Sequence, residues 1–586
     1  MSLKLRINDG ISTPAAGTTP KVIPLAAPRS AGAEERFFLL LSIFIGIYAG
    51  LAVVCFRLAI EWTRVYALGS ALAVSGRRLI LAPTIAGLVV AFLVMKVFPA
   101  VRGSGVNQTK SALYISNGYI PLRTAIGKFI CSAIAIGSGH SLGPEDPSLQ
   151  IGATLASALG RRLRLSREKT RLIAPVGAAA GLAAAFNAPI SAVLFVIEEV
   201  IGRWSAGILG SIVLSAVSSV VVARFFLGAE PMFRIPNVSL IGAEELLAYT
   251  ALGIAGGVAS LVFAKLITWL RSHLKAMPLW TQYAQPAIAG AIIGTIGYFG
   301  FPQVMGAGYE YMDQAMHNQF TWQMLLALAF LKIATTTLSF TSGTPGGMFA
   351  PTLFIGAMLG AATGGLEHIL VPHLTGSVGT YALVGMGVLF AAFLRAPLTS
   401  VFMVLEVSGN YSIIIPVILA NTLAYLISRS LQPTPIFEVL TSQDGLILPS
   451  MEEQRDADVL RVEDAMRAYA GPTLETDELA DIASERAAKS PEPVLLVRRR
   501  AYNAWHSIRR ENLRNSPPHS LVEQVVPEDP LPVLFPDVAL EAALRKLHGH
   551  DLLPVINRAD AGKLEGVLTL ELVLQTFAEA TEKNLE

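Results

Sequence analysis

The chain of 586 residues is 53% apolar and only 15% charged, a composition that excludes an ordinary soluble protein. Its net charge of +2 says nothing useful about partners, and we expect no nucleic acid among them. The charge is uneven, because residues 451–586 hold 41 of the 88 Asp, Glu, Lys and Arg residues. We therefore predict that the chain passes from membrane to water near residue 440.

Residues 1–34 are rich in Pro, Gly, Ala, Ser and Thr and are predicted to be a disordered tail. Apolar segments follow at 37–58, 79–99, 124–139, 147–160, 172–197, 205–227, 246–271, 284–301, 323–341, 350–372, 379–393, 397–407 and 411–430. Several are shorter than the roughly 20 residues that cross a bilayer. Short, broken helices are tolerated in a membrane only where protein or a water-filled cavity satisfies their backbone. The segment lengths therefore predict an internal site.

A strongly basic loop at residues 161–171 separates two of these segments. It carries six positive charges and one negative charge. Basic loops between membrane segments face the cytoplasm. We therefore place this loop, and the C-terminal tail with it, on the cytoplasmic side.

The polar tail follows a predicted linker at 441–458 and occupies residues 459–586. It contains two weakly similar units, from about Val459 to Arg499 and from about Val526 to Ala580. The second unit reads as helix, strand, turn, strand and helix by its periodicity. Each unit resembles a CBS domain, and the pair would form one small α/β module in the cytoplasm.

The membrane part contains one segment twice. Residues 176–198 and 384–406 share nine identities at an offset of 208, and the G-x-x-x-P stretches that start at Gly143 and Gly347 match at an offset of 204. We predict two repeats, at about 35–228 and 244–430. A duplicated apolar chain interrupted by Gly and Pro is typical of a transporter whose substrate site lies between two repeats near the membrane midplane.

Three glycine-rich loops precede segments that can be helical, at residues 103–105, 143–147 and 343–351. A helix N-terminus presents free N–H groups and about half a positive charge. Several N-termini that converge on one point would bind an anion without a full positive charge, which suits an ion that must also leave. The alternative is that these loops are ordinary turns between membrane helices.

Glu145 stands in the second of these loops, where the other repeat has Phe349. An ionisable residue at membrane depth is a functional hypothesis by default. A carboxylate at a helix N-terminus competes with a permeant anion for the same N–H groups, which links proton and anion binding. The alternative is an interfacial N-cap. Asp146 is expected to act only as a neighbouring negative charge.

Two adjacent glutamates end the first copy of the duplicated segment. Glu198 recurs as Glu406, so we interpret it as structural and expect it to orient a helix end. Glu199 faces Val407 in the other repeat, and this asymmetry favours a special task such as proton transfer. A solvated charge at a helix end is the alternative for Glu199.

With these motifs, residues 37–440 resemble the CLC family of chloride channels and proton-coupled chloride transporters. The resemblance is carried by G-S-G at 103–105, G-P-E-D-P at 143–147, F-N-A-P-I-S-A-V-L-F-V-I-E-E at 186–199 and G-G-M-F-A-P at 346–351. It implies an all-α polytopic membrane protein with an inverted repeat and broken, re-entrant helices. It also implies a homodimer with one pathway in each subunit.

The resemblance assigns expected roles to individual residues. Glu145 would be the gating glutamate and Glu199 the inner proton-transfer residue. Chloride would be bound at Ser104 and Gly105, at the backbone N–H groups of Met348 and Phe349, and at Phe437, which stands in place of a family tyrosine; Lys128 would match a buried supporting lysine.

The chain departs from the family pattern at several positions. Asn107 replaces a frequent Pro, Pro144 replaces the basic residue before the gating glutamate, and Asp146 replaces a Gly. Phe437 removes the tyrosine hydroxyl, which puts chloride affinity and selectivity in doubt. Leu572 stands where nucleotide-binding CBS modules usually carry Asp, so we expect no nucleotide cofactor.

Two readings of the function remain open on this scaffold. The leading prediction is an antiporter that exchanges chloride for protons in the cell (inner) membrane, and the alternative is a passive voltage- or pH-gated chloride channel. An intramembrane enzyme that uses Glu145 and Asp146 is disfavoured, because no further catalytic constellation lies in the apolar segments. A purely sensory receptor would leave the repeats without a purpose. We expect no metal, and we expect chloride, protons and the lipid bilayer as partners.

Overall fold

The computed structural model describes residues 31–583 except 70–75, 117, 164, 166, 203–205, 234–241, 243, 373–375, 447, 449–459, 500–503, 518, 537, 558–559 and 561. The chain divides into two compact units, Met1–Met451 and Glu452–Glu586. Most of the predicted disordered tail lies outside the described residues. The first helix begins at Ala31, within the last residues of the predicted tail.

The described part of the first unit is helical. Its helices are α1 (Ala31–Leu68), α2 (Arg78–Phe92), α3 (Val106–Tyr114), α4 (Leu122–Gly137), α5 (Glu145–Arg162), α6 (Arg167–Phe186), α7 (Pro189–Phe195), α8 (Ala206–Leu227), α9 (Glu245–Ala276), α10 (Gln285–Tyr298), α11 (Tyr309–Met316), α12 (Trp322–Thr341), α13 (Phe349–Leu370), α14 (Val378–Leu394), α15 (Pro397–Ser408), α16 (Ile414–Leu431) and α17 (Ile436–Gln443).

Each predicted apolar segment corresponds to one helix, with one exception. The segment predicted at 172–197 is two helices, α6 and α7, which meet at Asn187 with a positive φ of 58°. Pro189 then starts α7, since proline is accepted in the first turn of a helix but not in its interior. α7 continues as a π-helical turn over Val196–Ile201.

Seven helices in the described part of the chain are long and apolar enough to cross a membrane. Others are too short to do so, including the 12-residue α15 and the seven-residue α7. The prediction of an all-α membrane protein with broken helices is confirmed. The buried fraction also separates inner from outer helices. In the most apolar stretch of α13, 78% of the residues are buried, against 33% in that of Arg78–Val97, which begins with α2.

Close helix pairs mark equivalent places in the two repeats. A Cβ on Gly152 of α5 would lie 2.2 Å from the carbonyl oxygen of Gly177 on α6, and a Cβ on Gly356 of α13 would lie 2.2 Å from that of Gly385 on α14. Only glycine permits this approach of two backbones. The offsets of 204 and 208 between these positions are those of the sequence repeat.

The second unit contains two similar halves. The first half holds α18 (Val462–Ala465), β1 (Leu474–Glu475), α19 (Ala480–Ala488), β2 (Val494–Arg499), β3 (Ala504–Arg509) and α20 (Arg510–Arg514). The second half holds α21 (Leu540–Leu547), β4 (Leu553–Ile556), β5 (Leu564–Leu568) and α22 (Leu570–Lys583). β2 pairs with β3 and β4 with β5, both antiparallel.

The first half extends further than the sequence indicated. We expected it to end near Arg499, but β3 follows that residue and pairs with β2 along its whole length. The two halves are also in contact, because Arg467 of the first half bridges to Val567 of the second. The unit contains two buried clusters, of which one joins residues of both halves and the other holds residues of the first half together with Val522.

Candidate functional site

The two repeats meet at a short backbone bridge. The N–H of Gly143 donates to the carbonyl of Gly347 at 2.9 Å, and the N–H of Gly347 donates to the carbonyl of Gly143 at 2.8 Å. α5 begins two residues after the first glycine, and α13 begins two residues after the second. The bridge therefore brings two helix N-termini, each with free N–H groups and partial positive charge, to one place.

Two carboxylates of the first repeat accept hydrogen bonds from backbone amides of the second. Oε2 of Glu145 accepts a hydrogen bond from the N–H of Ala350 at 3.3 Å, and Oδ2 of Asp146 accepts one from the N–H of Met348 at 3.1 Å. Both side chains are completely buried. The predicted anion position at the start of α13 is thus filled by side chains of this same chain.

The first glycine-rich loop, at residues 103–105, packs against this pair. Gly105 has a φ of 119°, and a Cβ on it would lie 2.9 Å from the carbonyl oxygen of Asp146 and 2.8 Å from Cβ of Gln150. Ser104 is 4% exposed, and its hydroxyl accepts a hydrogen bond from the N–H of Val106 at 3.3 Å, in the first turn of α3. The three loops predicted to converge therefore do converge.

A buried lysine ties this loop to the neighbouring helix α4. Nζ of Lys128 donates to the carbonyls of Val101 and Gly103, at 3.1 and 2.5 Å. In the second repeat, Nζ of Lys332 donates to the carbonyls of Val304 and Gly306, at 3.0 and 2.7 Å. Both lysines are 0% exposed, so each repeat anchors its glycine loop in the same way.

Glu199 lies in the π-helical turn after α7 and is 1% exposed, which excludes the solvated helix-end alternative. Its Oε1 is 3.5 Å from Nζ of Lys110 on α3, which is also buried. Single π-helical turns inside helices occur frequently at functional sites. The equivalent stretch of the second repeat is the regular helix α15, so the turn belongs to the first repeat.

Glu198 and Glu406 cap each other's repeat. The carboxylate of Glu198 accepts from the N–H groups of Leu398 and Thr399, at 3.3 and 2.9 Å, and that of Glu406 accepts from those of Ile190 and Ser191, at 2.9 and 2.8 Å. Each carboxylate also accepts a hydrogen bond from a side-chain hydroxyl of the helix that it caps. The sequence interpretation of Glu198 as structural is confirmed.

The two aromatic residues of the predicted chloride site are buried. Phe349 stacks on Phe186 with ring centroids 6.2 Å apart and meets Phe195 edge to face at 4.7 Å. Phe437 lies in the first turn of α17, and its carbonyl accepts from Nδ2 of Asn107 at 3.1 Å. α17 and the start of α3 are therefore joined beside Ser104.

Two cavities flank the buried carboxylates. One, of about 590 Å³, is lined by Pro144 and by Arg57, Glu61, Arg64 and Glu310. The other, of about 380 Å³, is lined by Ser104 and by Arg102, Arg271, Lys275 and Asp444. Glu145 and Asp146 line neither cavity. Pro144 directly precedes Glu145, and Gly105, next to Ser104, packs against Asp146, so each cavity reaches the neighbourhood of one carboxylate.

Three features escaped the sequence reasoning. Lys332 could have been found, because it stands 204 residues after Lys128, the same offset as between Gly143 and Gly347. No sequence motif indicated the pairing of Lys110 with Glu199, since 89 residues separate them and no motif contains both. The contact of Asp146 with Met348 depends on how the two helix N-termini face each other. Among the described residues, no cluster of His, Cys, Asp and Glu could hold a metal ion.

Comparisons with known proteins agree with this geometry. Residues 86–429 match the family model described as "Voltage gated chloride channel". The chain is 32% identical over 397 residues to a "Putative chloride channel protein ClcB-like" of Ralstonia nicotianae, which covers 66% of this chain and 92% of that protein. It is also 32% identical over 421 residues to an "H(+)/Cl(-) exchange transporter ClcA" of Salmonella arizonae, over 69% of this chain and 88% of that one.

Solved structures share the fold. A slow cyanobacterial Cl⁻/H⁺ antiporter matches with a TM-score of 0.65 and 24% identity over 70% of this chain and 97% of its own. A eukaryotic CLC transporter matches with a TM-score of 0.62 and 21% identity over 92% and 98%. The chain is an integral multi-pass membrane protein with the CLC-type fold. It belongs to the voltage gated chloride channel family.

Proposed function

We propose that this protein exchanges chloride for protons across the cell (inner) membrane. One observation carries the proposal: a buried carboxylate, Glu145, is bound to an amide at the N-terminus of α13, between two cavities. When ionised, Glu145 occupies a place where an anion would bind; when protonated, it loses its charge and yields that place. One group therefore links the movement of both ions.

The remaining site residues take the following roles in this proposal. Ser104 and Gly105 face chloride from the first loop, Met348 and Phe349 offer backbone N–H groups, and Phe437 closes the site without a hydroxyl. Lys128 holds the first loop in place through its two carbonyl contacts. Glu199 receives protons from the cytoplasmic side.

A passive chloride channel is the second candidate, and the absent hydroxyl at Phe437 favours it. The relatives named above include both an exchange transporter and a putative channel, so both candidates have precedent among them.

Parallel flux measurements on proteoliposomes separate the two candidates. In vesicles that hold the purified full-length protein, a chloride gradient should drive protons against their own gradient. Chloride flux without any proton movement would reject exchange in favour of the channel. The absence of both fluxes would reject both candidates.

We further propose chloride as the preferred ion. A small neutral donor such as Ser104 suits a weakly hydrated monovalent anion, so bromide and nitrate should also pass, and fluoride and sulfate should not. Fluoride flux at low chloride, measured on the same vesicles, would contradict this selectivity.

For the second unit we propose a CBS-like pair that lies in the cytoplasm and binds no nucleotide. The helix–strand–strand–helix order of each half supports the pair. The hydroxyl of Thr569 caps α22, accepting from the N–H of Leu572 at 3.4 Å, and Leu572 offers no carboxylate to a ribose. We also propose a homodimer, from the family to which the chain belongs.

A further inference from the structure

Asp146 has one carboxylate oxygen engaged and one free. Its side chain is completely buried, and Oδ2 accepts the N–H of Met348 at 3.1 Å. Oδ1 is also buried and has no hydrogen-bond partner among the described residues. A buried carboxylate that is only half satisfied is costly as an anion, and its free oxygen can carry a proton or meet a hydrogen-bond donor.

A second buried polar group points at the same place. Gln150 lies one helical turn after Asp146, so the two side chains share a face of α5. Gln150 is 0% exposed, and both Nε2 and Oε1 lack a hydrogen-bond partner among the described residues. Its amide lies against Gly105 of the first loop. Buried polar groups are normally hydrogen-bonded, so an amide without a partner on this face of α5 is a candidate contact for a ligand.

A plain helix cap does not explain Asp146. α12 and α14 are capped locally by Thr321 and Ser377, whose hydroxyls accept from N–H groups of their own first turns. The acceptor on Met348 is instead 202 residues away in the sequence. The equivalent of Asp146 in the second repeat is Ala350, so the repeat architecture does not require a carboxylate there.

We propose that Asp146 is a second resident anion of the transport site, and that chloride reaches the amide of Met348 only when Asp146 is protonated or displaced. The inference rests on the proposed chloride transport and refines how that site is occupied. Glu145 holds the amide of Ala350 and Asp146 holds that of Met348, so two carboxylates compete with one incoming anion. Gln150 offers its amide N–H to the ion that replaces Asp146.

The other charged groups near Glu145 and Asp146 do not remove the competition between these carboxylates and chloride. Besides Glu145 on the same helix, the charged groups that act on the pair are Lys128 on α4 and Arg57 on α1. Lys128 is engaged by the carbonyls of Val101 and Gly103, and Arg57 acts on Glu145 rather than on Asp146. Chloride binding is therefore linked to proton uptake at two sites rather than one.

Calorimetric titration of the detergent-solubilised full-length protein with chloride tests this linkage. The dissociation constant is measured between about pH 5 and pH 8, a range that brackets carboxylates in buried sites, for the wild type, Asp146→Asn, Glu145→Gln and the double variant. Asp313→Asn makes the same chemical change at an exposed site, 49% accessible, and is the matched control.

We expect Asp146→Asn to bind chloride about tenfold more tightly than the wild type at the high end of this range, which is the size of one hydrogen bond to a charged group. Each single variant should keep part of the pH dependence of binding, and the double variant should lose it. Asp313→Asn should match the wild type. If Asp146→Asn does not fold, Asp146→Ser takes its place, because serine is also uncharged and keeps an acceptor for the N–H of Met348. The same tighter binding of chloride is expected for it.

The proposal is overturned if the neutral variants at Asp146 bind chloride within about twofold of the wild type, or if Glu145→Gln alone removes the whole pH dependence. Binding in detergent requires no coupled flux. A failure of exchange in vesicles with the expected binding linkage would therefore reject the antiporter and leave the role of Asp146 standing.

Discussion

At the scale of the residue, identical carboxylates have different tasks because they have different partners. Glu198 accepts three hydrogen bonds at the start of α15, while its neighbour Glu199 faces one lysine at 3.5 Å. Glu145 accepts a hydrogen bond from the backbone amide of Ala350, and its Oε1 has no partner among the described residues. A carboxylate with many fixed donors is a structural acceptor, whereas one with few can exchange a proton.

The pair formed by Glu198 and Glu199 allows a matched comparison. Glu199→Gln should suppress proton movement and leave most of the chloride flux, since the change keeps the shape of the side chain and is remote from the three anion loops. Glu198→Gln should instead lower the yield or the melting temperature and leave the coupling ratio unchanged. Chloride and proton fluxes from the same vesicles measure both. Equal loss of both fluxes in Glu199→Gln would identify that residue as structural.

An ion pair between a buried glutamate and a partly exposed arginine in the second unit predicts a pH dependence of stability. Arg467 makes two hydrogen bonds to Glu492, at 2.5 and 2.8 Å, and these bonds lower the pKa of Glu492. A pKa lowered by folding stabilises the unit above the ordinary glutamate pKa of about 4.3, and this contribution disappears as the pH falls through the folded-state value.

Glu492→Gln should therefore destabilise the second unit by about 1–3 kcal/mol near neutral pH and by less in acid. Hydrogen exchange of the β2 and β5 amides in the full-length protein measures this loss. Glu528→Gln, at an exposed position, is the control and should change nothing. An effect of Glu492→Gln that stayed the same down to acid pH would contradict the assignment.

At the scale of the element, the helix ends hold both the scaffold and the site. α7 and α15 each begin with proline and are capped by a glutamate from the opposite repeat. α5 and α13 begin beside the bridge between Gly143 and Gly347. The caps on the first pair fix how the repeats face each other, and the second pair supplies the carboxylates and amides of the proposed anion site.

Loss of either reciprocal cap should cost similar stability. Glu198→Ala and Glu406→Ala each leave two N–H groups without their charged acceptor, so each should lower the free energy of unfolding by about 1.5–3 kcal/mol. Thermal unfolding in detergent measures both. Glu244→Ala is the control, because Glu244 is exposed and makes no side-chain cap to α9. A large effect at one glutamate and none at the other would contradict the reciprocal arrangement.

The sequence predicted most of these elements because membrane helices are long apolar runs that end at Gly and Pro. The repeat offset also predicted the glycine bridge region and the structural role of Glu198. Neither the contact of Asp146 with Met348 nor that of Lys110 with Glu199 was predicted from the sequence. Both contacts join residues at least 89 positions apart that no motif connects. Such contacts depend on the final angle between helices.

At the scale of the whole first unit, equivalent residues build the frame and unequal ones carry the chemistry. Lys128 and Lys332 hold the two glycine loops, and Glu198 and Glu406 hold the two repeats. The symmetry ends where function is proposed. Glu145, Asp146, Ser104 and Glu199 stand opposite Phe349, Ala350, Ala307 and Val407. The first repeat thus supplies the carboxylates of Glu145 and Asp146, and the second supplies the backbone amides that bind them.

The most direct test of proton-coupled exchange through Glu145 is the proton-to-chloride flux ratio of Glu145→Gln in proteoliposomes. Glutamine imitates the protonated side chain but cannot release a proton or compete as an anion. Chloride flux should persist while proton movement falls to the level of empty vesicles, with Asp313→Asn retaining the wild-type ratio. Proton movement at the wild-type ratio in Glu145→Gln would contradict proton coupling through Glu145.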